Sequence, residues 1–199
     1  MDHVISGVAK FQKEVYPNKK ATFQKLATGQ NPEVLFITCS DSRIDPNLVT
    51  QTDPGELFIC RNAGNIVPPH SNQTGGMTAS IEFAVAALGV SHIVICGHTD
   101  CGAMKGAINP EGLSALPHVK EWLGHCRVAT EVVKERCGHS DLSIDDLEAV
   151  TKENVVQQIQ HLRTHPAVAA KIATGQVKLH GWVYNIGSGQ VLYYNTECG

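Results

Sequence analysis

Apolar residues fall along this chain in two rhythms. Over roughly the first 25 residues they recur at Val4, Ile5, Val8, Phe11 and Val15, the three-to-four spacing of an amphipathic helix. From residue 33 the rhythm changes to short continuous runs. EVLFITCS (33–40) is bounded by Asn31-Pro32 before it and a polar turn after it, and predicts a buried strand. GELFICRN (55–62) predicts a second strand, and SHIVICGH (91–98) a third, apolar on both faces as central parallel strands are.

Between and after these strands the helical period returns. TGGMTASIEFAVAALGV (74–90) predicts a helix with Gly89 near its C-terminus. Two further helices are expected over 114–137 and 143–163, the second opened by a Ser143/Asp146 capping box. Pro166 starts a short helix, and QVKLHGWVYNI and QVLYYN predict late strands joined at Gly187–Gly189. Alternation of strands and helices predicts an α/β fold with a mostly parallel central sheet flanked by helices. With no repeat, low-complexity run or linker, residues 1–199 are expected to form a single domain, about 1–28 being an N-terminal helical arm.

Bulk properties narrow the class. The chain has 199 residues, 42% hydrophobic and 18% charged, with a formal net charge of −3. It offers no basic field for nucleic acid or an anionic membrane. No stretch reaches the ~20 apolar residues of a membrane span, and no signal-peptide core is visible, so a cytoplasmic location is expected. Seven scattered cysteines in a chain of this length read as metal ligands, buried thiols or redox thiols, not as a disulfide framework. Cys60 and Cys96 fall inside apolar strands and read as small buried hydrophobes, and Cys198 as an exposed thiol.

In parallel sheets ligands gather at the carboxyl ends of the strands. Cys39 stands at the end of the first strand and His98 at the end of the third. His98-x-x-Cys101 lets an imidazole and a thiolate converge across a tight turn or a first helical turn. Each residue alone reads equally as a buried thiol or a satisfied histidine. Together they form a Cys₂His set, a composition used at zinc sites that keep a fourth position open, and two thiolates with an imidazole favour zinc over hard ions. Asp41, Arg43 and Asp100 crowd the same turns and need polar partners.

CSDSR, followed by GELFICRNAGN and then GHTDCGAMKG, resembles the β-class carbonic anhydrases, bacterial, cyanobacterial and plant. The likeness runs from about residue 5 to LHGWVY (179–184), nearly the whole chain. It implies one Zn²⁺ per subunit on Cys39, His98 and Cys101, and reversible hydration of carbon dioxide to bicarbonate and a proton by attack of zinc-bound hydroxide. It assigns Asp41 to orient that hydroxide and Arg43 to hold Asp41. It places Gln30 and the Gly102 N–H on substrate or bicarbonate, and Phe58, Ala63 and Phe83 around an apolar pocket. Phe83 stands where plant members carry a tyrosine. The resemblance implies a homodimer or higher homo-oligomer, a tetramer included, with the site at the dimer interface. Members with a bicarbonate switch carry tryptophan three residues before the first zinc cysteine; here that position is Phe36, although Arg61 and Tyr184 occupy the matching places of the switch. An open site, with water on zinc, is therefore expected.

Competing readings lack their motifs. A zinc dehydrogenase would need G-x-G-x-x-G after a strand, and a nucleobase deaminase H-x-E with C-x-x-C. The step from Cys39 to Arg43 is too short for a phosphatase loop. A structural or bicarbonate-sensing zinc protein is the non-enzymatic alternative.

Overall fold

The structure, a computed structural model, describes residues 1–72 and 74–194. Chain contacts divide it into two compact units, residues 1–31 and 32–199. The first unit is helical, as its periodicity predicts: α1 (Asp2–Lys10) runs through a wider turn into α2 (Tyr16–Asn18), and α3 (Lys20–Leu26) follows. Phe11, Tyr16 and Phe23 cluster, with Tyr16 stacked on Phe23 at 5.5 Å between ring centres. Val4, Ile5 and Val8 remain exposed along α1.

The second unit is built on a five-stranded sheet of order β2-β1-β3-β4-β5. Its strands are β1 (Val34–Cys39), β2 (Leu57–Asn62), β3 (His92–His98), β4 (Lys178–Tyr184) and β5 (Val191–Tyr194). The first four are parallel, and β5 returns antiparallel to β4. The predicted α/β class and the five strands are thus present, each strand a residue or more shorter than its apolar run. Cys198 lies outside the described residues. No described helix is long and apolar enough to cross a membrane.

Helices α4 (Pro46–Thr50), α5 (Gly76–Glu82), α6 (Gly102–Ile108), α7 (Pro117–Leu123), α8 (Arg127–Cys137), α9 (Leu147–Arg163) and α10 (Pro166–Ala173) complete the unit. α4 and α6 were not expected, because five and seven residues are too few to display a helical period. Local chemistry nonetheless fixes α4: Asp45 accepts a hydrogen bond from the Leu48 N–H, and Pro46 takes the first helical position. The helix expected over 114–137 begins at Pro117 and is broken by a tight turn at Gly124–Cys126. The predicted Ser143/Asp146 capping box is formed.

One face of the sheet (Leu35, Ile37, Ile93, Ile95, Leu179, Val183) packs with residues of α5, α9 and α10 in the main core. Two glycines let α9 lie close against it. A Cβ at Gly181 would meet Ile159 Cδ1 at 2.9 Å and Val155 Cγ1 at 3.0 Å, and one at Gly97 would meet Val155 Cγ2 at 3.0 Å. The other face carries Phe36, Val94 and Cys96 with Trp182 and Tyr184, Phe36 standing edge-on to Trp182 at 5.7 Å.

Candidate metal centre

β1 and β3 are adjacent and parallel, with Thr38 opposite Cys96, so Cys39 and His98 finish side by side at the same sheet edge. After His98 the chain reverses at Asp100, whose φ of 58° lies in the left-handed region that aspartate tolerates better than most residues. That reversal brings Cys101 back over the strand ends as the N-cap of α6. The three side chains are buried, and their donor atoms lie within 4.8 Å of one another.

Three details fit a cation of the zinc type. Cys39 Sγ and Cys101 Sγ are 3.9 Å apart; two sulfurs on one tetrahedral zinc stand about 3.8 Å apart. His98 Nδ1–H donates to the Thr99 carbonyl at 2.9 Å, which fixes the tautomer and leaves Nε2 with its lone pair. That Nε2 is buried and has no hydrogen-bond partner, an arrangement costly to a fold unless something accepts the lone pair. The hydrogen bond between the two sulfurs holds the Cys39 thiol well below its usual range and pushes Cys101 above it. The Gly64 N–H also points at Cys39 Sγ, at 3.4 Å.

Asp41 stands beside this group, its Oδ2 3.8 Å from His98 Nε2. Arg43 binds both carboxylate oxygens, Nε to Oδ1 at 2.9 Å and Nη2 to Oδ2 at 2.7 Å, and this pairing holds the Asp41 carboxyl well below the usual carboxylate range. Arg43 is itself fixed from the other side by the Asp100 carboxylate at 2.9 Å and the Asp100 carbonyl at 3.1 Å. Asp100 also pairs with Lys105.

Two buried sulfurs and an imidazole thus stand together at the parallel strand ends, with a braced aspartate next to them. The sequence profile of the carbonic anhydrase family matches residues 34–191. A carbonic anhydrase from Pseudomonas aeruginosa is 48% identical over 191 residues, covering 96% of this chain and 86% of that one. This chain belongs to the β-carbonic anhydrases. The solved structure of the β-carbonic anhydrase CcaA superposes with a TM-score of 0.94 at 41% identity, covering 98% of this chain and 95% of that one. A tetrameric β-carbonic anhydrase from Sordaria macrospora superposes with a TM-score of 0.84 at 31% identity, covering 98% and 96%.

Among β-carbonic anhydrase positions expected to touch substrate, the structure gathers some and disperses others. Gly102 opens α6 beside Cys101, is exposed, and has open space where a Cβ would sit. Ala63 follows β2, its carbonyl held by Trp122 Nε1 at 2.9 Å, one residue before the Gly64 N–H on Cys39. Phe58 and Phe83 form a tilted pair, 6.0 Å between ring centres. Phe58 pairs with Leu35, four residues before Cys39, so it sits about 13 Å along the strands from the metal-site edge. Gln30 is exposed and belongs to the first unit.

Two groups went unremarked in the sequence or were read differently. Arg61 occupies a place tied by resemblance to a bicarbonate switch. Here its guanidinium donates to the carbonyls of Cys39 (3.0 Å), Asp41 (2.6 Å) and Ile44 (2.9 Å), bracing the loop that carries Asp41. The inner face of α9 carries buried polar residues. Asn154 Nδ2 donates to the Gly64 carbonyl at 3.1 Å, and Gln158 Oε1 accepts from the Val67 N–H at 2.9 Å. His161, and His165 just beyond the helix at the N-cap of α10, donate to the Val67 and Pro68 carbonyls. The readable signal was polar residues recurring at helical spacing among apolar ones, on a face that should have been wholly apolar.

Proposed function

We propose that this carbonic anhydrase holds one zinc ion per subunit on Cys39, His98 and Cys101 and interconverts carbon dioxide and bicarbonate through an open site. The observation that carries this reading is the buried, unpartnered Nε2 of His98 facing two sulfurs while Asp41 is kept by Arg43. Zinc bound there supplies Lewis acidity that brings a water toward ionisation near neutral pH. Asp41, ionised by its arginine, accepts a hydrogen bond from the attacking water and orients its lone pair toward the carbon. Arg43 prevents Asp41 from becoming the fourth metal ligand. The Gly102 N–H holds a substrate oxygen.

The open form draws support from the neighbouring residues. Phe36 packs edge-on to Trp182, and the Arg61 guanidinium is engaged by backbone carbonyls, so neither is poised to receive a regulatory anion. The distance of Phe58, with Phe83 against it, from its own subunit's sulfurs favours a pocket completed between subunits, in a homodimer or a tetramer like that of the Sordaria relative. The exposed Val4, Ile5 and Val8 stripe suits an arm that packs on a second copy. The N-terminal helices serve as an arm of one catalytic domain, in the cytoplasm.

Stopped-flow hydration of carbon dioxide by zinc-replete protein, beside Cys101→Ser, tests the reading. An active parent and an inactive, zinc-poor variant are expected. Zinc-replete protein inactive even at alkaline pH would overturn it, and a crystal structure with Asp41 on the metal across neutral and alkaline pH would overturn the open form.

A further inference from the structure

α8 ends at Cys137, and Gly138 adopts a φ of 67°, a left-handed cap that turns the chain back on itself. His139 follows at once. The short turn Ile144–Asp146 then leads into α9, and its capping box places Asp146 opposite the end of α8. Cys137, His139 and Asp146 thereby present a sulfur, an imidazole nitrogen and a carboxylate oxygen within 4.8 Å of one another.

The carboxylate is built in. Asp146 is 6% exposed, and its Oδ2 accepts from the Ser143 N–H at 2.8 Å and from the Ser143 hydroxyl at 3.3 Å. Its Oδ1 faces His139 Nδ1 at 3.2 Å. The other two donors are exposed, so the cluster opens to solvent on one side. Local charge favours a cation: residues 135–148 hold five acids (Glu135, Asp141, Asp145, Asp146, Glu148) against one base, Arg136. That arginine is paired with Glu153.

We propose that Cys137, His139 and Asp146 form a second, exchangeable site for a zinc-type divalent ion, separate from the centre at Cys39. A thiolate, an imidazole and a carboxylate select a borderline ion over magnesium or calcium, which take mostly oxygen ligands. Ligand atoms around tetrahedral zinc stand about 3.3–3.8 Å apart, so the cluster closes on an ion with shifts of no more than about an ångström. Three protein ligands leave one position to solvent. Metal ions displace protons from thiol and imidazole ligands to solvent, so uptake weakens as the medium is acidified. An ion there would tie the end of α8 to the start of α9.

The test uses holoenzyme whose catalytic centre is already loaded with zinc. Metal content is measured after equilibrium dialysis against a zinc buffer, and Co²⁺ is titrated as a spectroscopic probe. The parent is expected to hold one more metal per chain than Cys137→Ser or His139→Asn, with unchanged hydration activity in all three. Added Co²⁺ should give a thiolate-to-cobalt band in the near ultraviolet in the parent and none in Cys137→Ser. Equal metal content and equal spectra in parent and variants would overturn the proposal and leave only a His139–Asp146 ion pair. Cys101→Ser separates the two sites: it lowers metal content at the catalytic centre while the cobalt band that depends on Cys137 persists.

Discussion

Arg43 grips Asp41 with three donors, its own backbone N–H, Nε and Nη2, at 2.9, 2.9 and 2.7 Å. Both carboxylate oxygens are thereby committed in one plane, and the Oδ2 edge is left 3.8 Å from His98 Nε2. A lysine keeps the charge but cannot present a planar fork. Arg43→Lys and Arg43→Gln should both lower kcat/KM by about 10²-fold, the scale of a positioning error near an ångström, while zinc content stays at the parental level. Metal analysis beside stopped-flow rates checks this. Activity retained in Arg43→Lys would show that charge alone suffices.

Asn154 links α9 to the metal-site edge. Its Nδ2 holds the Gly64 carbonyl, its Oδ1 accepts from Gln158 Nε2 at 2.9 Å, and it is 1% exposed. Asn154→Ala strands the Gly64 carbonyl in the interior and should cost about 1–3 kcal/mol of stability. Because the Gly64 N–H is the one aimed at Cys39 Sγ, the same variant should also release zinc faster to a chelator. Urea unfolding and chelator-competition rates measure the two effects; a stability loss with parental zinc release would confine Asn154 to a structural role.

How far this was legible depends on range. Cys39, His98 and Cys101 could be read because strands ending in metal-ligand residue types must, in a parallel sheet, end at one edge. The capping box and the left-handed Gly89 could be read because they are local chemistry, set within a few residues. The tie from Asn154 to Gly64 spans 90 residues and the tie from Gln158 to Val67 spans 91, and no spacing rule reaches that far. Arg61 was legible as a residue but not in its work, since three backbone carbonyls leave no trace in a sequence pattern. Phe58 and Phe83 were assigned by resemblance alone; the register of β2 places Phe58 away from the sulfurs of the same chain, and Phe83 stands 6.0 Å from Phe58 between ring centres.

The close packing of α9 on the sheet makes a second stability prediction. Gly181→Ala puts a methyl 2.9 Å from Ile159 Cδ1, an overpacking that should cost about 1–3 kcal/mol. Ile159→Val removes that same Cδ1. The double variant should therefore be more stable than the sum of the two single losses predicts, a coupling visible in a double-mutant cycle of urea midpoints. Strict additivity would mean that α9 relaxes away from the sheet as a body.

Acid stability turns on two histidines, His161 in the last turn of α9 and His165 at the start of α10. Burial lowers the pKa of His161 and His165 below the ordinary 6.5, and both are fixed as donors to the loop carbonyls of Val67 and Pro68. Since the folded-state values lie below the unfolded one, the unfolded chain takes up protons first as the medium is acidified. The stabilisation is complete above about pH 6.5 and declines as pH falls through that value toward the folded-state values. His161→Gln with His165→Gln removes both titrations. The double variant should be less stable than the parent at neutral pH, yet lose less stability between neutral and mildly acidic pH. Urea unfolding across that range gives the two slopes, and equal slopes would place the acid sensitivity of this fold elsewhere.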